Sequence, residues 1–143
     1  MAKEFEEFKE KFRVDELIIS ENKSWVWSVR PLQPTLGAGV LSLKRFAQAF
    51  SEITEEEGKD LSEIVKLIEQ QLQTVFAYEK INYLMLMMVD NHLHFHIIPR
   101  YSEKKEFDGY DWEDEGWPGP PSLKGGEVKD STLFKIKEKL NPQ

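Results

Sequence analysis

The spacing of apolar residues divides this chain into helical and strand-like segments. Phe5, Phe8 and Phe12 recur at helical spacing among Glu and Lys, which predicts a short amphipathic helix laid on the surface of the domain. Glu16 to Ser20 and Trp25 to Arg30 are rich in β-branched and aromatic residues, with the turn-forming Glu21-Asn22-Lys23-Ser24 between them, and read as paired antiparallel strands. Two prolines and two glycines between Pro31 and Gly39 break regular structure before Val40-Leu41-Ser42-Leu43 resumes as a third strand. Thr54 with Glu57 forms a capping-box pattern, and Leu61, Ile64, Val65, Ile68, Leu72, Val75 and Phe76 then keep one apolar stripe, so a long helix starts there and covers a sheet. Ile81 to Val89 is nearly all apolar, as a strand buried on both faces would be. After the turn signal Asp90-Asn91, His92 to Pro99 is expected to run beside it. Beyond Tyr101 the chain turns acidic and loop-like, and a last short helix is expected from about Ser131, with Leu133, Ile136 and Leu140 on one face.

Strands grouped around one long helix, without βαβ alternation, predict an α+β fold built on an antiparallel meander of about five strands. The length of 143 residues, 40% hydrophobic and 31% charged, suits one compact domain, with its core over about residues 15–101 and an acidic loop plus short helix over 102–143. Charge narrows the function: 26 acidic against 19 basic residues argue against a general affinity for nucleic-acid backbone, though a local basic pocket could hold a small anion. The absence of cysteine removes disulfides, thiolate ligands and a thiol nucleophile together. Chemistry must then come from His, carboxylate, hydroxyl or backbone groups. The first residues alternate charge and Phe, and Leu84 to Val89, the longest apolar stretch, is too short to span a bilayer; a soluble, cytoplasmic protein without a membrane partner is expected.

All three histidines fall in the run His92-Leu93-His94-Phe95-His96. On a strand, side chains alternate, so the histidines share one face while Leu93, Phe95 and Ile97 take the other. One face is a core and the other a site. Two chemistries fit. The imidazoles could chelate zinc or another divalent ion, leaving an open position for water, with a carboxylate such as Asp90 as the partner of a ligating ring's other nitrogen. Alternatively, one imidazole is a nucleophile toward phosphorus, and its neighbours fix its tautomer and hold phosphate oxygens.

His92-Leu93-His94-Phe95-His96-Ile97-Ile98 resembles, without a mismatch, the His-apolar-His-apolar-His-apolar-apolar signature of the histidine triad family of nucleotide hydrolases and transferases. Pro99-Arg100-Tyr101 and the order of elements over about residues 15–101 extend the resemblance more loosely. It implies a homodimer with a continuous sheet, and a small nucleotide substrate attacked at its α-phosphorus without cofactor or metal. His94 inherits the nucleophile's position, His96 the stabilisation of phosphoryl charge, and His92 the orientation of the nucleophile. The chain also departs from the pattern. Ala38-Gly39-Val40-Leu41 stands where the family often has a Gly-His sequence, the Gly- and Gln-bearing loop before the triad is reduced to Val89-Asp90-Asn91, and no acidic ribose contact is evident among Trp27, Ser28 and Val29. Arg30 and Arg100 are further candidates for an anionic substrate, Asn82 could reach the site, and Lys44 and Arg45 could add positive potential. Trp25 and Trp27 share a face and suit core packing or base stacking. The Asp111–Glu115 stretch and Trp117-Pro118-Gly119-Pro120 read as a solvated loop, with a lid or dimer contact as the alternative. Two further readings stay open at this point: a non-catalytic nucleotide sensor on the same fold, and a metal-dependent hydrolase using all three histidines.

Overall fold

The structure, a computed structural model, describes residues 2–142. Strands β1 (Ile18–Glu21) and β2 (Trp25–Val29) form the expected hairpin. Its turn is closed by the Asn22 side chain, whose oxygen accepts hydrogen bonds from the backbone N–H of Ser24 (3.0 Å) and Trp25 (2.9 Å). β3 (Gly39–Leu43) pairs antiparallel with β2 and completes the meander. The chain then crosses over through a single 3-10 turn at Phe50–Glu52 and the long helix α2 (Glu55–Phe76). Thr54 and Glu57 make both bonds of the capping box, and Ala77, in the left-handed region at φ 52°, stops the helix. α2 carries the chain past one strand width. β4 (Lys80–Leu84) therefore takes the outer edge, and β5 (His94–Arg100) returns into the slot between β3 and β4, giving the order β1-β2-β3-β5-β4 with every pair antiparallel.

The two faces of this sheet are covered differently. Trp25, Trp27, Val29, Leu41, Leu43 and Ile97 pack against Ile64, Ile68, Leu72 and Phe76 of α2, joined by Leu133, Ile136 and Leu140 of the C-terminal helix α3 (Asp130–Leu140). Both tryptophans are fully buried there, as core residues. The opposite face carries α1 (Ala2–Lys11), whose Phe8 joins Phe12, Val14 and Val40 in a second, smaller core. The predicted amphipathic helix exists, but the surface it lies on is the face of the sheet that bears the histidines.

Two expectations are corrected. The run Ile81 to Val89 is not one doubly buried strand: β4 ends at Leu84, no residue of it is fully buried, and Met88 and Val89 stand 82% exposed. An edge strand has a neighbour on one side only, so its apolar sequence is only half covered. The acidic segment after Tyr101 is also more ordered than a solvated loop. β6 (Lys105–Phe107) and β7 (Tyr110–Trp112) form a hairpin, and Trp112 is buried with its indole N–H donated to the Gln33 carbonyl (2.7 Å). Among the described residues no helix is long and apolar enough to cross a membrane.

Gln33 organises the irregular link between β2 and β3. It is fully buried; its amide nitrogen donates to the carbonyls of Arg30 and Ala38 (both 2.7 Å), and its amide oxygen accepts from the Gly37 N–H (2.9 Å). Its backbone N–H donates to the Gly126 carbonyl (2.8 Å), so the C-terminal segment is pinned to the same turn. An apolar replacement of similar size leaves buried backbone groups without partners, each at a cost of about 1–3 kcal/mol. Gln33→Leu is therefore expected to lower unfolding free energy by roughly 2–4 kcal/mol; a urea midpoint within error of wild type would contradict this role.

Candidate functional site

Strand alternation places the site. Paired positions of antiparallel strands share a face, so Ser42 opposite His94 and Val40 opposite His96 put the triad on the side away from α2. Beneath them, Leu93 and Ile97 are fully buried in the main core, which fixes the register of β5. All three imidazoles are almost completely buried, at 1%, 1% and 5% exposure for His92, His94 and His96.

Each ring has a tautomer that its partners dictate. The Ala47 backbone N–H donates to His92 Nδ1 (3.4 Å), so Nε2 carries the proton and donates to the Leu43 carbonyl (2.7 Å). His92 is thereby locked into the backbone, with the Phe46 ring stacked on it at 5.7 Å. Because a carbonyl only accepts, His94 Nδ1 must donate its proton to the His92 carbonyl (2.5 Å), which leaves Nε2 as an unprotonated lone pair. His96 is the complement. The Arg30 Nε–H donates to His96 Nδ1 (3.2 Å), and since a guanidinium cannot accept, the ring proton sits on Nε2. One ring thus offers a nucleophilic nitrogen, and its neighbour, with ring centroids 4.9 Å apart, offers an N–H donor.

Both rings open on one cavity of about 410 Å³, within the range of small-molecule sites. Its remaining walls come from Lys11 and Phe12 of the N-terminal segment, from Arg30 to Leu32, from Leu86 to Asp90, and from Leu123. Burial holds the imidazoles neutral. It pushes His92 down to about 4, and it pushes His96 down to about 3 with help from the neighbouring His94 and Arg30 charges. His94 is lowered mainly by burial, against the His92 carbonyl that favours its charged form. Burial also lowers the Arg30 guanidinium, opposed by the Asp90 carboxylate.

The structure gathers His94, His96 and Arg30 around the cavity and sets His92 behind it as a support. Arg100 and Asn82 lie elsewhere on the same face. The Arg100 guanidinium grips Asp114 through two hydrogen bonds (2.6 and 3.0 Å), the Asn82 side-chain oxygen (2.7 Å) and the Gly119 carbonyl (2.9 Å), and so fastens the segment after β7 to the sheet edge. Lys44 and Arg45 are likewise paired, with Glu21 and Glu57. Three histidines facing one way do not make a chelate here, because His92 Nε2 is turned into the backbone. Among the described residues no group of three or more His, Asp or Glu side chains is arranged to hold a metal ion.

Lys11, Phe12 and the apolar wall from Leu86 to Val89 are site residues that sequence reasoning does not assign. The apolar spacing of the N-terminal helix indicates that one face must be buried, but not on what. Val40, in the stretch where the resembled pattern often has a histidine, instead packs with Phe8 and Phe12.

Comparison with known proteins identifies the family and the fold. The sequence model of the HIT domain matches residues 28–103, from the end of β2 through the triad strand. No curated protein sequence matches the chain. Among solved structures, a histidine triad protein from Bradyrhizobium japonicum superposes with a TM-score of 0.69 at 20% identity, covering 90% of this chain and 91% of that one. A histidine triad protein from Sinorhizobium meliloti gives the same TM-score, 0.69, and identity, 20%, with 90% of each chain covered. A hypothetical histidine triad nucleotide-binding protein from Sulfolobus tokodaii gives 0.64 at 18% identity, covering 87% of this chain and 80% of that one. With His94 and His96 on β5, His92 just before it, and the domain model spanning more than half its length, the chain belongs to the histidine triad (HIT) family.

Proposed function

We propose that this protein is a nucleotidyl hydrolase or transferase that acts at the α-phosphate of a purine nucleotide conjugate, a dinucleoside polyphosphate or a nucleoside phosphoramidate. The observation that carries this reading is the His94 ring in the cavity wall: Nδ1–H is anchored on the His92 carbonyl, which leaves Nε2 as the unprotonated nitrogen. In the first step Nε2 forms a bond to phosphorus and the bond to the leaving group breaks. The positive charge that grows on the imidazole is met by the His92 carbonyl, and negative charge on the phosphoryl oxygens by the His96 Nε2–H and by Arg30. In the second step water attacks the same phosphorus, the N–P bond breaks, and His94 returns neutral with a nucleoside monophosphate released. No cofactor enters this scheme.

The relatives' family habit and the open edge of β4 support a homodimer in which the sheet continues across two copies. A second reading has its own observation. His94 is 1% exposed, which favours a nucleotide sensor that binds without turnover if α1 stays closed over the triad.

Four measurements test these readings. Intact-protein mass after brief mixing with adenosine and guanosine polyphosphates and phosphoramidates should show wild type gaining one nucleoside monophosphate, and His94→Ala none. His94→Ala should retain less than about one-hundredth of wild-type turnover, since a covalent catalyst contributes several orders of magnitude; a more active variant means another nucleophile, and no adduct or product from wild type points to the sensor. Because the folded triad rejects protons that an unfolded histidine binds near its ordinary value of 6.5, the folded state binds fewer protons as pH falls toward 4. Stability from this source is complete above about 6.5 and declines below it, so the thermal midpoint should drop from pH 7 to 4.5 and drop less in His96→Asn. An equally steep decline in both would remove His96 from this explanation. Sedimentation at micromolar concentration should show a dimer, and a monomer alone would reject the continuous sheet.

A further inference from the structure

α1 and Phe12, the residue that follows it, lie outside the residues 28–103 that match the HIT domain, yet between them they touch every member of the triad. The Phe5 ring lies 4.6 Å from that of His92, Phe8 lies 5.0 Å from His92 and 4.8 Å from His94, and Phe12 lies 5.8 Å from His94 and 5.6 Å from His96. Two polar ties connect the helix to the segment that leads into the triad: Asn91 donates to the Glu4 carboxylate (3.1 Å), and the Lys11 ammonium bonds both oxygens of Asp90 at 3.0 Å. The helix is therefore held in one position, and its last residue, Lys11, stands in the cavity wall beside His94 and His96.

The charges in that wall are unequal in their commitments. Arg30 is engaged through Nε by His96 and through one terminal nitrogen by the Leu32 carbonyl. Lys11 has a half-exposed side chain on a flexible stem; its ammonium pairs with Asp90, whose own side chain is mostly covered, and otherwise lies 5.4 Å from the centre of the Phe12 ring. Asp90 is a poor neighbour for an anionic substrate. Lys11 offsets it. An ion pair with one exposed partner is weak and exchanges readily, whereas a phosphoryl group offers more charge and more acceptor oxygens than a carboxylate.

We propose that Lys11 is a substrate-binding residue whose ammonium leaves the Asp90 carboxylate for a phosphoryl oxygen of the bound nucleotide. The inference rests on the nucleotide-binding reading of the cavity given above. It makes Asp90 the resident stand-in for the substrate's anion, and it makes α1 a part of the binding site. The two side chains then have opposite effects on affinity, which a simple tether between helix and loop does not produce.

The test is calorimetric titration with adenosine and guanosine monophosphate, which are products and do not turn over. Wild type, Lys11→Gln, Lys11→Arg, Asp90→Asn and the double variant Lys11→Gln/Asp90→Asn would be compared, with thermal midpoints confirming that each is folded. Lys11→Gln should weaken binding about tenfold, as loss of a charge-assisted contact to phosphate would, and Lys11→Arg should restore most of it. Asp90→Asn should tighten binding severalfold, and that gain should vanish in the Lys11→Gln background. If both single variants shift affinity in the same direction, or neither shifts it while wild type binds, Lys11 only tethers α1 and the proposal is overturned. If wild type binds neither nucleotide, the nucleotide reading of the cavity falls and the proposal with it.

Discussion

Three imidazoles kept out of water set the terms for the rest of this molecule. Burial disfavours the charged form of each ring, and a neutral ring must then place one proton and one lone pair. The fold resolves the choice three times over with backbone carbonyls, a backbone N–H and one arginine. The result is an asymmetric pair at the cavity, a bare nitrogen on His94 beside a protonated nitrogen on His96. That asymmetry would be lost if the strand slipped by one residue, because Leu93, Phe95 and Ile97 would then face the cavity.

The support for this pair is distributed over elements far apart in sequence. Gln33 holds the turn from which Arg30 departs, and Arg30 in turn decides the tautomer of His96. Trp112 and Gly126 reach Gln33 from the C-terminal segment, so ordering of residues after the triad bears on a hydrogen bond within it. Arg100 serves the same architecture from the other end of β5, where a bidentate grip on a buried carboxylate fastens the chain as it leaves the sheet.

Much of this is visible in the order of residues, and the remainder has physical reasons for being hidden. The period of two in His92 to Ile97 and the capping box at Thr54 are local signals; the helix forms directly after its cap, and the strand forms from His94, two residues into its signal. Asp108-Gly109 is also a local signal. Both residues take positive φ, 52° and 82°, as a two-residue hairpin turn demands, so this dipeptide between Phe107 and Tyr110 is the signal for the β6–β7 hairpin that the reading of the segment as a loop passed over. The extent of β4 could not be read in this way. An apolar run such as Leu84 to Val89 carries no record of whether a neighbour covers it, and here it turns from strand to exposed cavity wall. The partner of α1 was equally hidden, because Phe8 and His94 meet only through the tertiary fold.

That last pairing imposes an order of events on synthesis. α1 precedes the sheet in the chain, but the surface it covers is assembled from Val40 on β3 and from histidines some eighty residues further along. Until β5 has been translated and has entered its slot between β3 and β4, Phe5, Phe8 and Phe12 have no site to occupy and remain an exposed apolar stripe. A helix that comes early in the chain is thus among the last to dock, and the histidine face closes only when the sheet beneath it is complete.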